Sequence, residues 1–141
     1  MNVSIVICTY KRPQSLKSTL ESVVRLDFDS HAFEVIVVDN GCDAESNAVF
    51  EEVRLRAKCR MAYVREETLG LSYARNKGVS LALGDRVAFL DDDELVPTDW
   101  LSELLKPFGI DDRVGCVGGR IVPVFPDNTY PSWYSRDIQG F

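Results

Sequence analysis

Short apolar runs and amphipathic stretches alternate along this chain, and each apolar run ends in polar or charged residues. That alternation is the strongest constraint on the fold. Val3-Ser4-Ile5-Val6-Ile7-Cys8 is rich in β-branched residues and reads as a strand. Beyond Pro13, which suits the first turn of a helix, Leu16, Leu20, Val23 and Val24 share one helical face. Phe33 to Val38 reads as a second strand, ending at Asp39-Asn40-Gly41. A helix over about Ala44 to Ala57 turns Val49, Phe50 and Val53 inward. Met61 to Val64 is a third strand, and Leu71 to Leu83 a third helix stopped by Gly84. Arg86 to Leu90 is a fourth strand. A fourth helix follows Pro97 and carries Trp100, Leu101, Leu104 and Leu105. Val114 to Val117 reads as one more strand, before Gly118-Gly119.

The pattern implies an α/β fold, with a mainly parallel sheet and helices on both faces. Crossovers between parallel strands should be right-handed. In such sheets ligands bind outside the carboxyl ends of the strands. Those ends carry Thr9-Tyr10-Lys11-Arg12, Asp39-Asn40, Arg65-Glu66-Glu67 and Asp91-Asp92-Asp93. The last of these belongs to four consecutive carboxylates, Asp91 to Glu94, where an apolar strand leaves the core. Like charges this close repel, and partial burial makes each harder to ionise. A divalent cation offsets both effects, and carboxylate oxygens are the hard ligands that Mg2+ and Mn2+ prefer. The competing reading is a solvated acidic turn. The position at the end of an apolar strand favours the metal.

At 141 residues the chain suffices for one domain with a core, and 45% hydrophobic with 27% charged residues is ordinary for a globular protein. A net charge of −6 argues against a nucleic-acid partner, which calls for a basic face. It leaves room for an anionic ligand, because a local group of Arg, Lys and metal overrides the net sign. Cys8, Cys42, Cys59 and Cys116 form no CxxC pair, so they read as free thiols in a reducing compartment, not zinc ligands. No apolar run approaches the roughly 18 residues that span a bilayer. A soluble, cytoplasmic chain is expected on those grounds. From Arg120 onward, Pro123, Pro126 and Pro131 interrupt a stretch containing Trp133, Tyr134 and Phe141, and periodicity is lost.

Four segments in register resemble the family 2 glycosyltransferases. They are Val6 to Pro13, Val35 to Gly41, the Gly-x-x-x-Ala-Arg-Asn segment from Gly70 to Gly78, and Phe89-Leu90-Asp91-Asp92-Asp93-Glu94. The family more often has Asn where Lys11 stands. The resemblance implies the GT-A fold, a Rossmann-like nucleotide-diphospho-sugar transferase fold. It also implies a nucleotide-diphosphosugar donor, a UDP-sugar foremost. Asp39 would accept a hydrogen bond from the base, against a competing role as helix N-cap or turn residue. Thr9 and Tyr10 would line the base pocket, against ordinary strand-end packing. Arg75 would reach the base or diphosphate, since a guanidinium suits phosphate oxygens. Its alternative is a surface ion pair with Glu66 or Glu67. Arg12 is a weaker donor-binding candidate, as is Lys77. Asp93, aided by Asp91, would hold Mn2+ or Mg2+ against the diphosphate, a Lewis-acid role. Counted back from Pro97, Asp92 and Asp93 match the family's ribose and metal positions; counted forward from Phe89, Asp91 and Asp93 do. Both counts choose Asp93.

The resemblance further implies that residues 1–119 form the nucleotide-sugar-binding domain and that 120–141 begin the acceptor region. Transfer with inversion needs a general base on the acceptor hydroxyl. Downstream acids are limited to Asp127 and Asp137, and neither lies in a recognisable motif. The chain is therefore expected to be the amino-terminal portion of a longer enzyme, one open to membrane association. Alone it should bind donor and metal but transfer poorly. Its acceptor, whether saccharide, lipid or protein, is not named by these residues. Trp133, Tyr134 and Phe141 would pack on a further half or on a second copy as a homodimer contact. A sugar nucleotidyltransferase is the alternative enzyme, disfavoured because the loop after the first strand lacks glycine. A receiver-like signalling module lacks the Lys needed at the end of a later strand. A non-catalytic nucleotide-sugar-binding module stays open.

Overall fold

The structure, a computed structural model, describes residues 3–125, 129–131 and 134. In chain order the elements are β1 (Val3–Thr9), α1 (Pro13–Val23), β2 (Phe33–Asp39), α2 (Ala44–Arg54), β3 (Arg60–Arg65), α3 (Leu71–Leu81), β4 (Arg86–Asp91) and α4 (Trp100–Leu105). A 3-10 turn, Lys106–Gly109, follows. Contacts divide the chain into two units, Met1–Leu101 and Ser102–Phe141. The division falls earlier than the Gly119 boundary suggested by motifs.

All four strands belong to the first unit and run parallel in the order β3-β2-β1-β4. The chain steps outward from β1 to β2 to β3, then returns past β1 to place β4. Strand order thus reverses between β1 and β4, which makes their carboxyl ends the topological switch point. β2 is buried along its whole length, as a strand covered on both faces must be.

Side chains alternate between the two faces of each strand. On one face Val6, Ile36 and Val38 pack with Ala74 of α3, joined by Cys8, Val64 and Val87. Gly78 lets α3 approach: a Cβ there would lie 2.3 Å from Val6 Cγ1. On the other face Phe50 of α2 meets Tyr63 of β3, with ring centroids 5.2 Å apart. Leu16, Leu20 and Val23 of α1 and Phe50 and Val53 of α2 are fully buried. Each such side chain contributes about 1.5–3 kcal/mol on leaving water.

At the amino-terminal end of the sheet, Ser4, Glu34 and Arg60 are register neighbours across β1, β2 and β3. Glu34 is buried, accepts from Ser4 Oγ at 2.7 Å and the Leu83 amide at 2.7 Å, and pairs with Arg60 at 3.0 Å. The Gly84 amide donates to Ser4 Oγ at 2.9 Å. Gly84 lies so close to β1 that a Cβ would meet the Ser4 nitrogen at 2.6 Å.

In the second unit, the strand expected over residues 114–117 is not formed; these residues carry no regular secondary structure. Gly115 interrupts the run, and glycine inside a short strand weakens it. The described tail residues form a ring cluster instead. Tyr130 stacks on Tyr134 at 5.3 Å, and Phe125 meets both edge-on. Trp133 and Phe141, named above as candidate packing or dimer residues, lie outside the described residues.

Candidate functional site

A cavity of about 500 Å3 opens at the carboxyl ends of β1 and β4, the switch point of the sheet. Cys8, Thr9, Tyr10 and Arg12 line it from β1 and its loop. Asp91, Asp92 and Asp93 line it from β4, and Asn40 from the end of β2. Leu69, Gly70, Leu71 and Ala74 close the side formed by α3 and its approach. Its size is that of ordinary small-molecule sites.

The three aspartates are not equivalent, and strand parity explains why. Asp91 is the last residue of β4 and continues the face of Val87 and Phe89, toward α3. It pairs there with Arg75 of α3 at 3.3 Å. The same guanidinium lies 5.5 Å from the centroid of the Phe89 ring, a cation–π contact. Asp92 continues the opposite face. Its side chain is buried and accepts from Thr9 Oγ1 at 2.7 Å. Asp93 is open to the cavity and meets Arg12 Nη1 at 3.0 Å, while the same nitrogen lies 3.6 Å from Asp92 Oδ1. Glu94 folds back onto the Asp91 amide at 3.2 Å.

Asp91 and Asp93 keep 59% and 55% of their side-chain surface in contact with solvent, against 8% for Asp92. Hard oxygens on two open carboxylates are a donor set that fits Mg2+ or Mn2+. Among the described residues, no three His, Cys, Asp or Glu side chains converge into a complete metal site.

The loop after β1 carries Tyr10, about half exposed, with Lys11 Nζ 5.5 Å from its ring centroid. Lys11 adopts a left-handed backbone, φ 53°. Asn is enriched in that region among residues with a Cβ.

Asp39 is buried, and its carboxylate is occupied by the protein itself. It accepts from the Gly41 amide at 2.8 Å, the Asp43 amide at 2.7 Å and Tyr63 Oη at 2.6 Å. Burial first, and the bond to Asp39 second, push the Tyr63 phenol well above its ordinary pKa, so it remains a donor. Asp39 does not line the cavity. The N-cap of α2 is Asp43, which accepts from the Glu45 and Ser46 amides. The Ser46 hydroxyl, foremost, holds the Asp43 pKa below the usual carboxylate value.

Among the cavity residues that sequence reasoning did not single out, two carry polar or titratable groups. Asn40 donates to the carbonyls of Glu66 and Thr68 at 2.7 and 2.8 Å and accepts from the Gly70 amide at 2.8 Å. It thereby ties the end of β2 to the loop entering α3. Gly70, the N-cap of α3, has φ 139°, open to glycine but strained for other residues. The signal for Asn40, next to the charged Asp39, is a carboxamide at a strand end, which can bridge backbone donors and acceptors. Cys8 is the other. Burial pushes its thiol up to about 11, so it is an uncharged wall residue at neutral pH. Thr9, Tyr10, Arg12, Arg75, Asp91, Asp92 and Asp93 all gather at this one edge, with Arg75 against Asp91 instead of Glu66 or Glu67. Asp127 and Asp137 lie outside the described residues.

Comparison with known proteins adds three findings. The model of the family "Glycosyl transferase family 2" matches residues 4–139. Among curated proteins, the chain is 37% identical to succinoglycan biosynthesis protein ExoM of Rhizobium meliloti over 99% of its length and 48% of the relative's. It is 33% identical to the glucosyl-dolichyl phosphate glucuronosyltransferase of Haloferax volcanii, over 100% of its length and 42% of the relative's. The chain thus spans less than half the length of these relatives. Among solved structures, S. aureus TarS in complex with UDP superposes with a TM-score of 0.71 at 26% identity, over 78% of this chain and 32% of that one. Among the described residues, no helix is long and apolar enough to cross a membrane.

Proposed function

The chain belongs to glycosyl transferase family 2, and on that premise we propose that its cavity binds the nucleoside diphosphate of a sugar donor, with a divalent cation on Asp93 and Asp91. The sugar is then transferred, with inversion, to an acceptor hydroxyl on a saccharide, lipid or protein. The observation that carries the reading is the division of labour among the three aspartates at the switch point. One is buried and fixed by Thr9, while two open ones face the cavity, paired with Arg12 and Arg75. The likeness to TarS, solved with UDP and with UDP-GlcNAc, supports a nucleotide-sugar ligand, and a UDP-sugar is the first donor to try.

Each residue has a role under this reading. When bound, Mn2+ or Mg2+ would neutralise charge that builds on the departing diphosphate. Thr9 fixes Asp92, which is oriented for a ribose hydroxyl. Tyr10 offers a ring face for the base. Asn40 and Gly70 set the backbone wall opposite. Arg75, held on Phe89, supplies positive charge beside Asp91. Asp39, filled by its own internal bonds, shapes the loop that bounds the base pocket. The first 119 residues are proposed as the donor half and residues 120–141 as the start of the acceptor region.

Thermal melting with UDP and GDP, each with and without Mn2+, tests the reading. A metal-dependent rise in melting temperature with one of the nucleotides is expected, by linkage of binding to folding. No rise with either nucleotide would favour a module without donor binding.

A further inference from the structure

The geometry points to a second function for Arg12: it is the resting counter-cation of Asp93, displaced when a divalent ion takes that carboxylate and transferred onto the donor's diphosphate. This rests on the reading of Asp93 as a metal ligand.

One guanidinium nitrogen of Arg12 reaches two carboxylates, at 3.0 Å from Asp93 Oδ2 and 3.6 Å from Asp92 Oδ1. A divalent ion on Asp93 would compete for the same oxygen and repel the guanidinium. The Arg12 side chain is free to answer that repulsion. It is 58% exposed, and although Arg12 is the N-cap residue of α1 its side chain makes no cap bond. The backbone is less free, because Pro13 follows and restricts the residue before it. Movement is therefore confined to the side chain, which already lines the cavity.

Two neighbours make the exchange selective. Asp92 is held by Thr9 independently of Arg12, so the acidic cluster keeps its shape when Arg12 leaves. Arg75 pairs with Asp91 in a similar way, but its guanidinium is also seated on Phe89. Arg75 stays and Arg12 moves. A planar guanidinium released beside a diphosphate finds oxygens it can bind by two parallel hydrogen bonds. Through the exchange the acids are never left without a cation, and the phosphates gain one.

The test is calorimetric titration of wild-type, Arg12→Gln, Arg12→Lys and Asp93→Asn proteins with Mn2+ alone, and with UDP or GDP at saturating Mn2+. Circular dichroism confirms the fold of each. Arg12→Gln should bind Mn2+ about threefold more tightly, the range of an exposed ion pair removed as competitor. The same variant should bind the nucleotide about tenfold more weakly. Arg12→Lys, which keeps the charge, should leave Mn2+ affinity near the wild-type value. The exchange is overturned if Arg12→Gln binds Mn2+ no better than wild type, or if Arg12→Lys gains as much as Arg12→Gln. With Mn2+ binding lost in Asp93→Asn, such a result removes the exchange and leaves the metal site standing. Wild-type Mn2+ affinity in Asp93→Asn would remove the site and the exchange together.

Discussion

At the amino-terminal end of the sheet, Glu34 is buried and engaged by Ser4, Leu83 and Arg60. At the carboxyl end, Asp91 and Asp93 are more than half exposed and each meets one arginine. Both ends combine carboxylates with guanidinium groups, so residue type alone does not separate structure from function. Burial and completeness do. A buried carboxylate with its partners fixed by strand register is closed to a ligand from solvent. One that faces a cavity with a single exposed counter-cation can exchange that cation. Asp39 sharpens the point. It stands at the functional end, yet its three internal hydrogen bonds make it resemble Glu34 more than Asp93.

The largest effect should come from opening the closed end. Glu34→Ala leaves the Leu83 amide and Arg60 without their partner, and urea denaturation should show a loss of about 2–4 kcal/mol. The lower part of that range reflects the half-exposed Arg60 side chain. Nucleotide affinity of the folded protein should be unchanged.

Gly78→Ala should join the two ends. The added Cβ would sit 2.3 Å from Val6 Cγ1 and push α3 off β1. A loss of about 1–3 kcal/mol is expected. Here nucleotide affinity should fall as well, because α3 carries Ala74 into the cavity wall and Arg75 against Asp91.

Much of this comparison was legible beforehand. The alternation of apolar runs and helical faces located four strands and four helices. Asp93, the residue that both motif counts share, lines the cavity. Between Asp91 and Asp92 strand parity separates only the placement: Asp92 takes the bond from Thr9 and Asp91 pairs with Arg75. The closed end was illegible for a different reason. Ser4, Glu34 and Arg60 come from three separate strands, and only the register brings them into line. Val114 to Val117 has the composition of a strand, but Gly115 interrupts it and no described strand pairs with it. Asn40 was visible as a strand-end residue, but its three bonds depend on where the loop to α3 returns.

Alkaline pH offers a smaller, separate probe of the cavity wall. The Cys8 pKa is raised by burial from 9.0 to about 11, so the folded protein holds that proton more tightly than the unfolded chain. Its contribution is complete below pH 9.0 and lost as pH rises through about 11. Cys8→Ala should flatten that alkaline decline in melting temperature, leaving the part due to Tyr63, whose pKa is also raised. The smallest effect belongs to Lys11→Asn. Asn tolerates φ 53° better than Lys, so a gain of about 0.5–1 kcal/mol in urea denaturation is expected.

The central claim is that the open carboxylates, and not the closed ones, take the cation. Calorimetric titration of Asp93→Ala with UDP or GDP, with and without Mn2+, addresses it directly. In wild type Mn2+ should raise nucleotide affinity by about tenfold or more, as a phosphate-bridging ion does. In Asp93→Ala that enhancement should vanish while the melting temperature of the free protein is retained, because Asp93 is exposed. An undiminished Mn2+ enhancement in Asp93→Ala would contradict the account.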